Sequence, residues 1–231
     1  MCNDGVALFC LLHPESQAKK QRCLDLLRQN AREYYTKPEA KCTTWSYFTQ
    51  FPNKTPVIGG LEMYTSKQAL QLQVDDPIYF QSYHETVKKE GLYAKPEELV
   101  AWYQAGGFVA RDVHAKPFGN VLISVTRMTT NDQKQVFDVL TPFSEWVKAN
   151  EPDVLSYILF TRTKAPKEIM LVVRYKDIKA MKGHNVAPEH QAVIKRLSKV
   201  VEGSIADTTT MWQEVEDSFV SNVVGGGIGK N

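Results

Sequence analysis

Tyr175-Lys-Asp-Ile-Lys-Ala180-Met181-Lys-Gly-His184-Asn-Val-Ala-Pro188-Glu-His190 stands where an alternating, strand-like pattern gives way to a helical one. Before it, Ile169, Leu171, Val173 and Tyr175 share one face of a strand. After it, His190, Val193, Ile194, Leu197 and Val201 share one side of a helix. An earlier stretch, Tyr64-Thr-Ser-Lys-Gln-Ala69-Leu70-Gln-Leu-Gln73-Val-Asp-Asp-Pro77, keeps the Tyr, the Ala, the apolar residue after it and the Pro, each 111 residues upstream. An ungapped match of this kind indicates one unit present twice.

The rest of the chain follows the same doubling. Val6 to Leu12 is a continuous apolar run closed by Pro14, suited to a central strand. Ser16 is a natural N-cap for a helix with Leu24, Leu27, Ala31 and Tyr34 on one face, stopped at Lys37-Pro38. Residues 42–51 and 57–64 are rich in aromatic and β-branched residues and read as two strands. A helix with Phe80, Tyr83, His84 and Val87 on one face ends at Gly91, and a fourth strand over 99–105 ends at Gly106-Gly107. After a polar joint, strands over 121–126, 155–161, 169–175 and 208–213 and helices between them restart the order. Leu24-Asp25-Leu26-Leu27 is echoed by Phe137-Asp138-Val139-Leu140, and Trp102 by Trp212. The expected organisation is a first repeat over 1–111, a linker over 112–120, a second repeat over 121–220, and a flexible tail over 221–231.

Strand-helix-strand-strand-helix-strand is the ferredoxin-like order: an antiparallel sheet with two helices on one face. Strands apolar on both faces need a cover on the other side as well. Two fused βαββαβ repeats supply it if their sheets pack together in the manner of a dimeric α/β barrel, and the expected class is therefore α+β.

Composition removes several functions. With 28 Lys and Arg against 26 Asp and Glu, a net charge of +2 gives no electrostatic footing for nucleic acid or an anionic membrane. No apolar run approaches the ~20 residues that cross a bilayer. Cys2, Cys10, Cys23 and Cys42 all fall in the first 42 residues without a C-x-x-C pair, and read as reduced, mostly buried thiols. The start lacks the basic and long apolar segments of a signal peptide, so a cytoplasmic protein is expected. Neither H-x-x-x-H nor H-E-x-x-H spacing occurs, and Gly59-Gly60 and Gly106-Gly107 lack a nucleotide-binding context. No metal is expected.

Tyr175, Ala180, His184 and Ala187-Pro188 give the second repeat its closest likeness: it resembles the antibiotic-biosynthesis-monooxygenase (ABM) family of dimeric α/β-barrel proteins. That family carries an aromatic strand end, an Ala, a His four residues later, and a small residue with Pro before an aromatic helix. The order of elements extends the resemblance over residues 6–215 and implies a tandem member of the fungal type, found near secondary-metabolite genes. The resemblance implies a ligand between the helices and the helix-covered face of the sheet. It also implies a cofactor-independent monooxygenase or oxidase in secondary metabolism, acting on an anthrone, phenol or quinol with molecular oxygen as co-substrate. A homodimer of fused pairs is compatible with it. The rival reading is a non-catalytic or cyclase-like binding barrel, since one fold hosts many functions.

Such chemistry needs a base or hydrogen-bond partner for a phenolic O–H and a dry aromatic pocket. His184 occupies the family position and is the first candidate; its counterpart, Gln73, cannot act as a base. His84 and His190 lie on apolar helix faces, where a histidine touches either core or ligand. His84, in Phe80-Gln-Ser-Tyr83-His84, is also similar to the iron-ligating region of the haem-degrading branch. That branch pairs its His with a first-strand Asn and a Trp, neither of which stands here, so haem is the weaker alternative. Trp45, Tyr47, Tyr83, Trp102, Tyr157 and Trp212 are candidate walls for an aromatic substrate. Arg127, Arg162 and Arg174 are candidates for an oxyanion contact or a rim ion pair. His13 and His114 are expected to be bystanders.

Overall fold

The computed structural model describes residues 5–35, 37–111, 120–216, 218, 220 and 221. Cys2, His114, most of the expected linker and nearly all of the expected tail lie outside them.

The first repeat runs β1 (Val6–Leu12), α1 (Gln17–Asn30), β2 (Cys42–Gln50), β3 (Ile58–Tyr64), α2 (Lys67–Val74), α3 (Ser82–Lys89) and β4 (Glu98–Phe108). The second runs β5 (Leu122–Thr129), α4 (Gln133–Asn150), β6 (Val154–Thr161), β7 (Glu168–Tyr175), α5 (Ile178–Val186), α6 (Pro188–Leu197) and β8 (Thr209–Glu214), followed by a short β9 (Val220–Ser221). Both are ferredoxin-like. In the second, β8, β5, β7 and β6 lie in that order with antiparallel pairing. In the first, β3 pairs with β1 on one side and β2 on the other, again antiparallel.

The chain forms two compact units. The described part of one is 5–101 with 214–221, and of the other 102–111 with 120–213. Backbone pairing accounts for the exchanged ends. Tyr103 to Phe108 of β4 pairs with Tyr157 to Thr161 of β6, and β9 pairs with Thr44 and Trp45 of β2.

The recurring residues have identifiable local roles. Ser66 and Asp177, 111 apart, cap α2 and α5 by accepting from the N–H of Ala69 and Ala180. Pro77 and Pro188 each take the first position of a new helical segment, where a missing N–H is harmless. Each second helix of the repeat is therefore two helices, where the periodicity suggested one. Ser16 caps α1 as expected, its Oγ 3.2 Å from the Lys19 N–H. Beyond Asn30 the helix widens into a π turn over Ala31–Tyr35, and this turn buries Tyr35 while Tyr34 stays partly exposed. Gly106-Gly107 does not end β4. The register shifts there and the strand continues to Phe108, with Gly107 at φ +78°, where an added Cβ would meet the Tyr157 carbonyl.

Unit two is built on α4, which buries Val136, Leu140, Phe143 and Val147 against Tyr157, Leu159, Val173 and Tyr175 of the sheet. In unit one, α1 buries Cys23, Leu24 and Leu27, and Phe9 meets Phe48 with ring centres 6.0 Å apart. Cys10, Cys23 and Cys42 are buried thiols. No helix among the described residues is long and apolar enough to cross a membrane.

Candidate active site

Each repeat encloses a cavity between its sheet and its helices. The larger, about 470 Å³, lies in the second repeat. Its lining includes Ser124 and Thr126 of β5, Tyr157 of β6, Tyr175 of β7, His184 of α5 and His190 of α6. No charged side chain lines it among the described residues, and Leu140, Val173, Met181 and Leu197 make much of its wall apolar.

His184 is 3% exposed, and its Nδ1 lies 2.5 Å from Glu151 Oε2. A carboxylate accepts, so Nδ1 carries the proton, and in the neutral ring Nε2 is left as the acceptor. Glu151 is the residue that ends α4, its own N–H still bonded to the Val147 carbonyl. Arg111 holds that end in place by donating to the carbonyls of Val147, Lys148, Glu151 and Val154. The guanidinium beside the helix end also places positive charge near Glu151.

His190 stacks obliquely on His184, with ring centres 4.5 Å apart. Its Nδ1 donates to the Asn185 carbonyl at 3.3 Å, so its Nε2 is likewise the acceptor nitrogen. Burial, then the neighbouring His184, pushes His190 below the ordinary histidine range, and the ring is neutral near pH 7. Burial pushes the Tyr157 and Tyr175 phenols upward, so both remain protonated and can donate. Tyr175 Oη lies 3.4 Å from Ser124 Oγ, a weak contact that leaves its proton available to a ligand.

The smaller cavity, about 280 Å³, lies in the first repeat and is lined by Trp45, Tyr83, His84, Gln73, Glu62 and Glu97 among others. Glu62 is 7% exposed and accepts from Tyr47 Oη at 2.6 Å, Tyr64 Oη at 2.8 Å and Gln73 Nε2 at 3.3 Å. Gly60 makes this possible: a Cβ there would collide with the Tyr47 ring and with Cys10. His84 lies in the wall with Nδ1 3.9 Å from Glu97 Oε1, and burial pushes it below the ordinary histidine range.

The sequence candidates thus divide. His184, His190 and Tyr157 converge on the larger cavity; His84, Tyr83 and Trp45 on the smaller. Trp102 and Trp212 line neither. Trp102 is buried beneath the Arg162 guanidinium, and Trp212 donates to Thr210 Oγ1 at 2.9 Å. Arg162 pairs with Glu168, Arg174 donates to Ser156 Oγ, and Arg127 is exposed; none of the three lines either cavity. His13 bonds to Glu98, away from both. Among the described residues no group of three or more His, Cys, Asp or Glu is arranged to hold a metal ion.

Sequence reading missed Glu62, Glu97, Glu151 and Arg111. Glu62 had a signal, a single acid inside an otherwise apolar strand, which is retained only when something bonds it. Glu151 and Arg111 had none, since their roles depend on where α4 ends in space.

The family model of the antibiotic biosynthesis monooxygenases matches residues 122–196. No curated protein matches the chain in sequence. Among solved structures, a candidate monooxygenase from Lactobacillus acidophilus superposes with a TM-score of 0.77 at 12% identity, covering 94% of this chain and 96% of its own. One from Fusobacterium nucleatum gives 0.76 at 13% identity over all of both chains. An anthrone oxidase-like protein gives 0.61 at 13% identity, covering 98% and 97%. At these identities the likeness is one of fold, and it extends through both repeats. Residues 122–196 are an antibiotic biosynthesis monooxygenase (ABM) domain, set in a chain of two ferredoxin-like repeats.

Proposed function

We propose that the second repeat is a monooxygenase-type site that oxidises an aromatic carbon acid or phenol, an anthrone or quinol, with molecular oxygen and no cofactor. The observation that carries this reading is the buried His184, held by Glu151, at the polar end of an otherwise uncharged cavity. His184 Nε2 takes the proton from the substrate, and Glu151 stabilises the imidazolium through Nδ1. Tyr157 or Tyr175 donates to the substrate oxygen as it gains charge. The resulting carbanion passes electrons to oxygen, and a C–O bond forms to give a hydroperoxide. Loss of the second hydrogen from that carbon, with cleavage of O–O, leaves a carbonyl and water. One oxygen atom enters the product and the other leaves as water.

The matched family and the fold shared with monooxygenase-type structures support this class of reaction. A place in secondary metabolism accords with an anthrone-sized substrate. Oxygen uptake with anthrone and with hydroquinone tests it. His184→Ala should lower the rate by ~10²–10⁴. Equal rates for the variant and the wild type would remove His184 from the mechanism.

A further inference from the structure

We propose that the cavity of the first repeat is a binding site for a small organic cation, a protonated amine carried on an aromatic or apolar body. Two carboxylates, Glu62 and Glu97, reach this cavity, and no Lys or Arg lines it among the described residues. The donors that hold Glu62, two phenols and an amide, are all neutral. His84 offers no counter-charge near pH 7, because burial keeps it neutral. Burial, followed by the nearby Glu62, pushes the Glu97 carboxyl above the usual range, as expected where a second acid faces a site without a cation.

A separate observation points to the same ligand. Gln73 is 2% exposed and lines the cavity. Its Nε2 must face Glu62, since a carboxylate only accepts, and this fixes Oε1 at the other end of the amide. That oxygen has no hydrogen-bond partner among the described residues. A buried acceptor without a donor is destabilising, and an ammonium N–H supplies the donor.

The walls suit the body of such a ligand. Trp45 stacks on Tyr35 with ring centres 4.6 Å apart at 16°, and Tyr83 and Phe80 complete an aromatic lining. Rings of this kind attract a desolvated ammonium. A volume of about 280 Å³ suits a ligand with a single ring.

Calorimetric titration of the full chain at pH 7 with 2-phenylethylamine, 2-phenylethanol and 3-phenylpropanoate tests the proposal. The three probes share a body and differ in charge. The ammonium should bind at least tenfold more tightly than the alcohol, and the carboxylate should not bind. Glu97→Gln, a change at a partly exposed position, should weaken the ammonium at least fivefold; Glu62→Gln should abolish its binding. Equal affinity for ammonium and alcohol, binding of the carboxylate, no binding of the ammonium, or an unchanged ammonium affinity in Glu97→Gln would each overturn the proposal. If Glu62→Gln fails to fold, the Glu97→Gln result decides. The readout is binding without oxygen, so it stands or falls separately from the reaction assigned to the second repeat.

Discussion

The two cavities share a frame and differ in where their acid stands. Trp45 pairs across the strands with residue 62, and Tyr157 pairs with residue 173, so one aromatic wall occupies the same register in both repeats. Tyr64 and Tyr175 close the corresponding strands, and Gln73 and His184 are buried at corresponding places on α2 and α5. In the first repeat the acid is Glu62, on the strand and in the wall; in the second that position is Val173. The second repeat's acid is Glu151 at the end of α4, behind His184. An acid in the wall meets a ligand directly, whereas an acid behind a histidine acts on a ligand only through the ring. On the two proposals made above, the duplicated frame separates recognition of charge from movement of a proton.

The largest effect should come from the acid behind the histidine. Glu151→Gln keeps the shape of the side chain and removes the carboxylate that fixes the His184 tautomer. We expect kcat for oxygen uptake to fall by about 10²-fold with KM little changed, the pattern of an interaction made only in the transition state. A rise in KM at constant kcat would mean that Glu151 serves substrate binding, and the contrast with Glu62 would then collapse.

Stability should register the same asymmetry on a smaller scale. Tyr64 donates to a carboxylate at 2.8 Å, while Tyr175 makes only a 3.4 Å contact with a hydroxyl. Hydrogen bonds to charged groups contribute ~1.5–3 kcal/mol, and Tyr64→Phe should cost about that much in denaturant unfolding. Tyr175→Phe should cost less than about 1 kcal/mol. Equal midpoints for the two variants would show that Glu62 does not rely on its phenols.

How much of this was legible beforehand follows from the range of each interaction. The doubled Tyr, Ala and Pro announced the fold because each acts locally: the Pro residues open helices, and the intervening Ser66 and Asp177 cap them. His184 was singled out by position, and the structure buries both it and its counterpart Gln73 in cavity walls. The partners of these residues were not. Glu151 reaches His184 across 33 positions, and Glu97 comes to the His84 cavity from the approach to β4. Aromatic content overstated the substrate walls, since an indole fills core as readily as it lines a pocket, and Trp102 and Trp212 went to core and strand packing. The glycine pair in β4 looked like a stop because a bulge and a turn call for the same residue.

The smallest expected effect carries opposite signs in the two repeats. His190 is pushed below its ordinary value of 6.5 by burial and by His184. The unfolded chain therefore binds a proton at higher pH than the folded chain does. Stability from this residue is complete above about pH 6.5 and is lost as pH falls through that value toward the folded pKa. Glu97 is pushed above its ordinary 4.5 by burial and by Glu62, so the folded chain holds its proton longer than the unfolded one. Its contribution is complete below about pH 4.5 and is lost as pH rises through the folded pKa. His84, facing Glu97, works in the same direction as His190 and partly offsets it within the first cavity. Melting temperatures between pH 4 and 8 should therefore fall less steeply on the acid side in His190→Leu than in the wild type. Glu97→Gln should lose less stability than the wild type as pH rises from 4.5 toward neutrality. Variants that shift the profile in the same direction would show that the two cavities do not differ in charge as their walls suggest.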